Sequence, residues 1–295
     1  MSRLNFNFNP KFHLKTVSVS VVIPCYGCKE TIGRALESIF SQRVWPSEII
    51  LVDDASNDGT LEELRKLSEK YSGHLIIVQM KCNLGAASAR NAGWAIAKQP
   101  YIAFLDADDS WHPEKLCIQY EYMLRNPDVL LSGHQCILKR ENSTMPVLPA
   151  DWNATLISSN SLLFRNSFST PTVMLKRDIL FRFQEGKRYA EDVFLWQQIA
   201  LAGFKVARIE APLAYVHKPL FGAGGLSSQL LDMEKGELRN FVALYDAGLI
   251  EAPLFGLAVI FSIAKYIRRL LRIKINSLRR LNIKLKSFLS MYRRR

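Results

Sequence analysis

The chain of 295 residues can hold one large α/β domain with an extension, or two small domains, and its 48% apolar content suits a protein with a sizeable core. Five cysteines, an odd number without regular spacing, exclude a disulfide framework and fit a reducing cytoplasm. The net charge of +12 has one address: residues 252–295 carry twelve Lys and Arg and no Asp or Glu, so the body is neutral and the tail basic.

Residues 1–16 are rich in Asn and Phe and lack the apolar core of a secretory signal. The first predicted strand, 17–23, is apolar and β-branched, as in a buried parallel strand. Pro24-Cys25-Tyr26-Gly27 breaks it. Cys25 and Cys28 form a Cys-x-x-Cys, but without a second pair or a helix opening at Cys25 they predict neither a zinc site nor a redox motif. Thr31 is placed to cap a helix with Ile32, Ala35, Leu36, Ile39 and Phe40 on one face. A second strand, 48–52, ends at Asp53-Asp54. Residues 55–60 have turn chemistry, and a helix follows through Leu67. A third strand, 75–79, leads to the turn Asn83-Leu84-Gly85. The helix predicted over 86–97 is built of small residues and can pack closely on a sheet. The fourth strand, 101–105, runs into Asp106-Ala107-Asp108-Asp109.

This β-α alternation predicts a parallel sheet covered by helices. Such sheets bind ligands at the carboxyl edge, where three of the strands end in acids or in Pro24-Cys25-Tyr26. Clustered carboxylates repel one another, so a hard divalent cation holding a diphosphate is the natural occupant. After Pro113 a helix runs to about Arg125. Residues 126–175 are mixed, with strands near Leu130 and over 172–175. A helix over 192–202 ends at Gly203, residues 205–216 read as extended, and 219–228 as a Gly- and Ser-rich mobile loop.

With these parts assembled, the chain resembles the family 2 inverting glycosyltransferases. Residues 19–26 (VSVVIPCY) are similar to that family's opening strand and 49–60 (IILVDDASNDGT) to its second nucleotide-contacting segment. Asn83-Leu84-Gly85 with Ala89-Arg90-Asn91-Ala92-Gly93 is similar to its third, and residues 104–109 (FLDADD) to its metal-binding motif. The resemblance covers residues 17 to about 120, with weaker matches at Glu191-Asp192 and His217. It implies the GT-A fold: an α/β protein whose mostly parallel nucleotide-binding sheet, flanked by helices, merges with an acceptor-binding half.

The resemblance also implies roles. Asp54 accepts a hydrogen bond from the donor base, while Pro24 and Tyr26 shape the wall beside it. Asp53 joins that contact or buttresses the loop. Asp106 reaches the ribose or the metal shell, with Ala107 in the same segment. Asp108 is the direct ligand of Mn²⁺ or Mg²⁺, and His217 approaches the diphosphate or the metal. Arg90 pairs with the diphosphate or with Asp106. Lys187 and Arg188 contact phosphate or are solvated. Asp192 is the general base that takes the acceptor hydroxyl's proton, and an acid there also suits a helix N-terminus. Two departures stand out. Trp196-Gln197-Gln198-Ile199 lacks the Gln-x-x-Arg-Trp of processive synthases, which favours addition of one sugar. Gly27 stands where Asn is commoner.

The tail repeats apolar residues at Ala264, Ile267, Leu271, Leu278, Leu281, Leu285, Phe288 and Tyr292, interrupted by Lys274. This is a basic amphipathic helix or helix pair, the composition of a membrane-surface element; nucleic acid is a poorer partner because no binding module accompanies the charge. Its most apolar stretch, 254–264, is about half the length that spans a bilayer. The expected organisation is a tail at 1–16, a catalytic domain at 17–235 (nucleotide-sugar half 17–120, acceptor half 121–235) and a helical region at 236–295. The expected function is metal-dependent inverting transfer of a single sugar from a nucleotide-diphosphate sugar to a lipid-linked or envelope-glycan hydroxyl. The enzyme would be cytoplasmic, attached to the inner face of the membrane through 254–295, and a homodimer is compatible with this reading. Two alternatives stand beside it: a phosphohydrolase using Asp106 as nucleophile, and a non-catalytic sugar- or membrane-binding module.

Overall fold

The computed structural model describes residues 4–5, 16–71, 74–139, 148, 152–218 and 229–292, with 4–5 and 274–292 described in backbone only. The chain divides into two compact units, Met1–Gln229 and Leu230–Arg295. The expected boundary at 235 falls inside a helix, whose Glu234 is held within the second unit by Ser262.

The first unit is built on one ten-stranded sheet. Strands β2 (Thr16–Cys25), β3 (Trp45–Asp53), β4 (Leu75–Gln79) and β5 (Tyr101–Phe104) are parallel, in the order β5-β2-β3-β4. Their side chains alternate between two cores. Val19, Val21, Ile23, Ile49, Leu51 and Ala103 face one, and Val22, Ile50, Val52, Ile102 and Phe104 face the other. Burial on both faces favours the apolar runs of β2, β3 and β5, whereas β4, at the edge, leaves Ile76 exposed. Helices α1 (Ile32–Phe40), α2 (Thr60–Lys70) and α3 (Ala86–Ile96) connect them. The hydroxyl of Thr31 donates to the Cys28 carbonyl at 3.3 Å, so it does not supply the cap expected of it.

The second half departs from the parallel pattern. Strand β9 (Met174–Lys176) lies antiparallel between β5 and β7 (Val129–Leu138), and β7 pairs parallel with β10 (Lys205–Val216). Strands β8 (Asn153–Leu156) and β1 (Leu4–Asn5) extend that edge antiparallel, and β6 (Ser110–Trp111) pairs with the end of β10. The strand expected from Thr172 starts at Met174, because Thr170–Thr172 forms a 3₁₀ turn around Pro171, which has no N–H to give a ladder. Because β9 is antiparallel to both neighbours, β5 and β7 point the same way. The carboxyl ends of β2, β3, β5, β7 and β10 therefore share one edge of the sheet. Helix α4 (Lys115–Arg125), the short turn α5 (Ser161–Phe164) and α6 (Glu191–Leu201) complete the layers. The glycine-rich segment expected at 219–228 lies outside the described residues, as does most of 1–16.

The second unit pairs α7 (Leu230–Asp246) with α8 (Ala252–Tyr292). Ala258 is buried on α8, Ser262 donates to Glu234 at 2.9 Å, and Lys265 pairs with Glu237. Among the described residues, no helix is long and apolar enough to cross a membrane.

Gly93 marks where α3 presses on the sheet. A Cβ there would lie 2.5 Å from Val22 Cγ1 and 3.1 Å from Val52 Cγ2. Gly93→Ala gains about 1 kcal/mol of helix propensity, while overpacking a close-packed core costs about 1–3 kcal/mol. Because the nearer contact is with a stiff β-branched side chain, the overlap should win. The expected result is a lower urea midpoint at unchanged m-value; an unchanged or raised midpoint would show that the contact yields freely.

Candidate active site

Four segments meet at the common edge. The first joins the ends of β2 and β3 to the turn before α3. Asp54 accepts the backbone N–H groups of Leu84 and Gly85, one on each carboxylate oxygen, both at 2.8 Å. Asp53 is 1% exposed and touches only the Ser56 N–H, at 3.4 Å from each oxygen. Asp54 is as deeply buried, at 2% exposed, so burial does not separate the pair; Asp54 is the one that bonds the turn before α3. Each Asp54 oxygen keeps a second lone-pair site for a ligand donor. Gly27 adopts φ 57°, a left-handed conformation that suits glycine, and its N–H meets Ser56 Oγ at 3.3 Å. Pro24 remains in the sheet opposite Val52, while Tyr26 is 56% exposed.

Tyr26 and Asp54 line a cavity of about 470 Å³ together with Asn83, Lys187, Arg188 and Glu191. An exposed ring, a carboxylate with free lone pairs and two cations suit a flat base and an anionic tail. Lys187 Nζ also lies 4.5 Å over the Phe194 ring.

The second constellation centres on Arg90. Its Nη2 bonds Asp106 Oδ1 at 2.7 Å and its Nη1 bonds Glu191 Oε1 at 2.9 Å, with the guanidinium 4% exposed and stacked over Phe183. Burial works against its charge, but Asp106 and Glu191 outweigh it and hold the guanidinium above its ordinary pKa. Of the two readings of Arg90, the structure shows the pairing with Asp106, with Glu191 on the other terminal nitrogen. Its fork joins the end of β5 to the start of α6, and Arg90 itself lies 101 positions before Glu191 in the chain.

Asp192 follows Glu191 at the α6 N-terminus. Its Oδ2 accepts the Thr170 hydroxyl at 3.0 Å and its Oδ1 the Val193 N–H at 2.7 Å. Burial raises its pKa, and Asp106 adds to this from nearby; Arg90, the Val193 N–H and Thr170 oppose the rise. Burial and Asp192 also push Glu191 up to about 7, against the pull of Arg90. The carboxyls of 106, 191 and 192 therefore crowd one guanidinium.

The third group is the turn after β5. Ala107 packs into the core, Asp108 pairs with Lys218 at 3.0 Å, and Asp109 is buried. Burial, with repulsion from Asp106 and Asp108, pushes Asp109 up to about 8, against the opposing pull of the His217 backbone N–H and Arg34. Pairing of β6 with β10 brings Ser110 Oγ within 2.8 Å of His217 Nε2. Burial, then Arg34 and Lys139, push that imidazole down to about 4, so it is neutral at physiological pH.

Among the described residues, no three His, Cys, Asp or Glu side chains form a ready metal-binding group. The donor set nevertheless fits a hard divalent cation. Two carboxylates and a neutral imidazole flank a turn with surplus negative charge, and Mg²⁺ is commonly held by one or two carboxylates with substrate phosphates completing its shell.

Thr170, Ser110 and the backbone at Ala55 and Ala190 were not legible as site features. Both alanines have φ 55°, and each adjoins an acid pair, Asp53-Asp54 and Glu191-Asp192. Strained backbone of this kind collects at functional sites. No signal short of the fold marks Thr170, whose hydroxyl reaches Asp192 only because β9 enters the sheet beside β5.

With this geometry established, comparison with known proteins identifies the class. The chain belongs to the family 2 glycosyltransferases: the model of that family, "Glycosyl transferase family 2", matches residues 20–182. The amylovoran biosynthesis glycosyltransferase AmsB of Erwinia amylovora is 32% identical over 213 residues, 69% of this chain and 71% of that protein. The Escherichia coli UDP-Glc:α-D-GlcNAc-diphosphoundecaprenol β-1,3-glucosyltransferase WfaP is 32% identical over 191 residues, 63% of this chain and 72% of that one. Among solved structures, the mannosyltransferase PcManGT from Pyrobaculum calidifontis, in complex with GDP-Man and Mn²⁺, matches with a TM-score of 0.60 at 18% identity, covering 90% of this chain and 82% of that one. That likeness is one of fold, and the fold is GT-A. The protein is a glycosyltransferase. The phosphohydrolase reading falls: it needs the acid motif on the first core strand, and here the motif ends the fourth parallel strand with Asp106 bound to Arg90.

Another histidine in the same half supplies a pH test. His134 is 1% exposed, and burial with nearby Lys115 pushes its pKa down to about 3. Between pH 6.5, its ordinary value, and about 3, the unfolded chain binds a proton that the folded chain refuses. Its contribution to stability is therefore full above that window and lost as pH falls through it. His134→Gln should flatten the drop in Tm on acidification across the window; parallel wild-type and variant curves would refute the buried neutral imidazole.

Proposed function

We propose that the protein transfers one sugar, with inversion, from a nucleotide-diphosphate sugar to a hydroxyl of a phosphate-linked lipid or envelope-glycan acceptor, with Mn²⁺ or Mg²⁺ bound. The single observation that carries this reading is the Arg90 fork, which gathers Asp106 and the Glu191-Asp192 pair at one edge of the sheet beside the Tyr26–Asp54 cavity. The acceptor class is supported by WfaP, which acts on a GlcNAc-diphosphoundecaprenol.

In this mechanism Tyr26 and Asp54 hold the donor's base, and Lys187 and Arg188 draw in its diphosphate. Asp108, Asp106 and His217 would hold the cation, whose chemistry is neutralisation of charge on the leaving diphosphate. Asp192 receives the proton of the acceptor hydroxyl as that oxygen bonds to the anomeric carbon. The bond from that carbon to the diphosphate oxygen breaks on the opposite side, and the diphosphate leaves with the electron pair. A carboxylate made more basic by burial, and oriented by Thr170 and the Val193 N–H, suits the role of base. Arg90 keeps that carboxylate and Asp106 in register.

Asp192→Asn, assayed with manganese and a panel of nucleotide sugars, should lower transfer by about 10²–10⁴-fold while nucleotide affinity stays near wild type. Transfer at the normal rate would refute the base assignment.

The second unit supports attachment to an anionic membrane surface, the cytoplasmic face in this reading. On α8, Ile260, Ile263, Ile267, Leu270 and Leu271 are all exposed, and by helical spacing they form a stripe opposite Lys265, Arg268 and Arg272. An exposed apolar stripe on an acid-free helix fits a lipid interface, where each Lys or Arg adds on the order of 1 kcal/mol. Ile263→Glu with Ile267→Glu should abolish sedimentation with phosphatidylglycerol vesicles and leave nucleotide binding intact. Vesicle binding equal to wild type would exclude the stripe as the contact.

A further inference from the structure

A cavity of about 520 Å³ opens between the ends of β7 and β10 and the segment 165–169. It is larger than the cavity beside Tyr26 and differs from it in chemistry. Among the described residues, Arg165 and Arg208 line it and no Asp or Glu does, whereas Asp54 and Glu191 both line the other. Arg208 Nε has no hydrogen-bond partner among the described residues; it faces Glu210 Oε1 at the long salt-bridge distance of 3.6 Å, while Gln135 donates to the other Glu210 oxygen.

His134 also lines this cavity and is buried. Its Nδ1 lies 3.0 Å from the Gln135 carbonyl. A carbonyl only accepts, so the proton sits on Nδ1 and the neutral ring presents Nε2 as an acceptor. Among the described residues that Nε2 has no partner. A buried acceptor left unmatched is costly unless something donates to it. The wall thus offers cationic donors and one strong acceptor, and a sugar phosphate presents the complements of both.

The cavity is linked to the carboxylate read as the base through the chain. Ser169 lines it, and the next residue, Thr170, is the one that bonds Asp192. Cys136, on the same wall, lies close enough to Asp109 and Asp106 for their charge, added to burial, to raise its thiol pKa.

We propose that this cavity seats the acceptor's glycosyl phosphate, with Arg165 and Arg208 on the phosphate and His134 Nε2 accepting a sugar hydroxyl. This deepens the reading of the chain as a transferase acting on phosphate-linked acceptors. A second hydroxyl of the seated sugar would then point past Thr170 toward Asp192. The preference for a phosphate-linked acceptor would reside in two arginines far apart in sequence.

Titration calorimetry on the full chain tests this without requiring turnover. The probes are N-acetylglucosamine 1-phosphate, glucose 1-phosphate, the two parent sugars and inorganic phosphate. At least one sugar phosphate should bind about tenfold or more tightly than its parent sugar, as charge-assisted bonds to arginine imply. Arg165→Ala, in an exposed segment, should remove most of that preference. Arg208→Lys should weaken it, keeping the charge but losing the fork. Arg65→Ala, exposed on α2 and in neither cavity lining, should leave it unchanged. Equal affinity for sugar and sugar phosphate would overturn the proposal, as would a preference that survives Arg165→Ala. Inorganic phosphate binding as tightly as both sugar phosphates, with the same loss in Arg165→Ala, would reduce the cavity to a bare anion site and also overturn it. A failed titration leaves donor use and the role of Asp192 standing, and a failed transfer assay leaves the titration readable.

Discussion

The site depends on one buried guanidinium. Arg90 reaches from α3 to Asp106 at the end of β5 and to Glu191 at the start of α6, and nearly all of it is out of water. A buried charge is tolerated only when paired and hydrogen-bonded. Here the pairing is shared between two acids, each attracted by Arg90 and repelled by the other carboxylates. The arrangement therefore stores tension in the carboxyls: Glu191 and Asp192 are held above the usual range, while Arg90 is held fully charged. Remove the guanidinium and three acids face one another with nothing between them.

That fork works because the sheet brings its ends together. The reversed strand β9 lets β5 and β7 run the same way although they are not bonded to each other. The nucleotide-side acids and the acceptor-side residues thus emerge at one edge. β9 also delivers Thr170 to Asp192, and the β6–β10 pair delivers Ser110 to His217. The mixed second half of the sheet is what brings Glu191 and His217 to residues of the first half.

Much of the first half was legible. The runs at 17–23, 48–52, 75–79 and 101–105 are rich in apolar residues, many of them β-branched, and their strands appear where expected, although the edge strand β4 is only partly buried. The pairing of roles was less legible. Asp53 and Asp54 are adjacent, chemically identical and both buried, yet Asp53 meets the Ser56 N–H and Asp54 the N–H groups of Leu84 and Gly85. Which is which depends on where the strand's last hydrogen bonds fall. The C-terminal stretch read as one helix or two is one continuous helix, and the hairpin with α7 that buries Ala258 and Ser262 could not be read from the tail alone.

The sequence by itself determined the parallel, helix-covered sheet, the acids at its strand ends, the family and the basic amphipathic tail, because each is written in local spacing of apolar and charged residues. Only the tertiary structure decided that Arg90 serves carboxylates, that Asp54 buttresses the loop, and that His134, Arg165 and Arg208 share one cavity. Those facts rest on contacts between residues distant along the chain, and pairing across such distances is set by packing and burial, which no local pattern records.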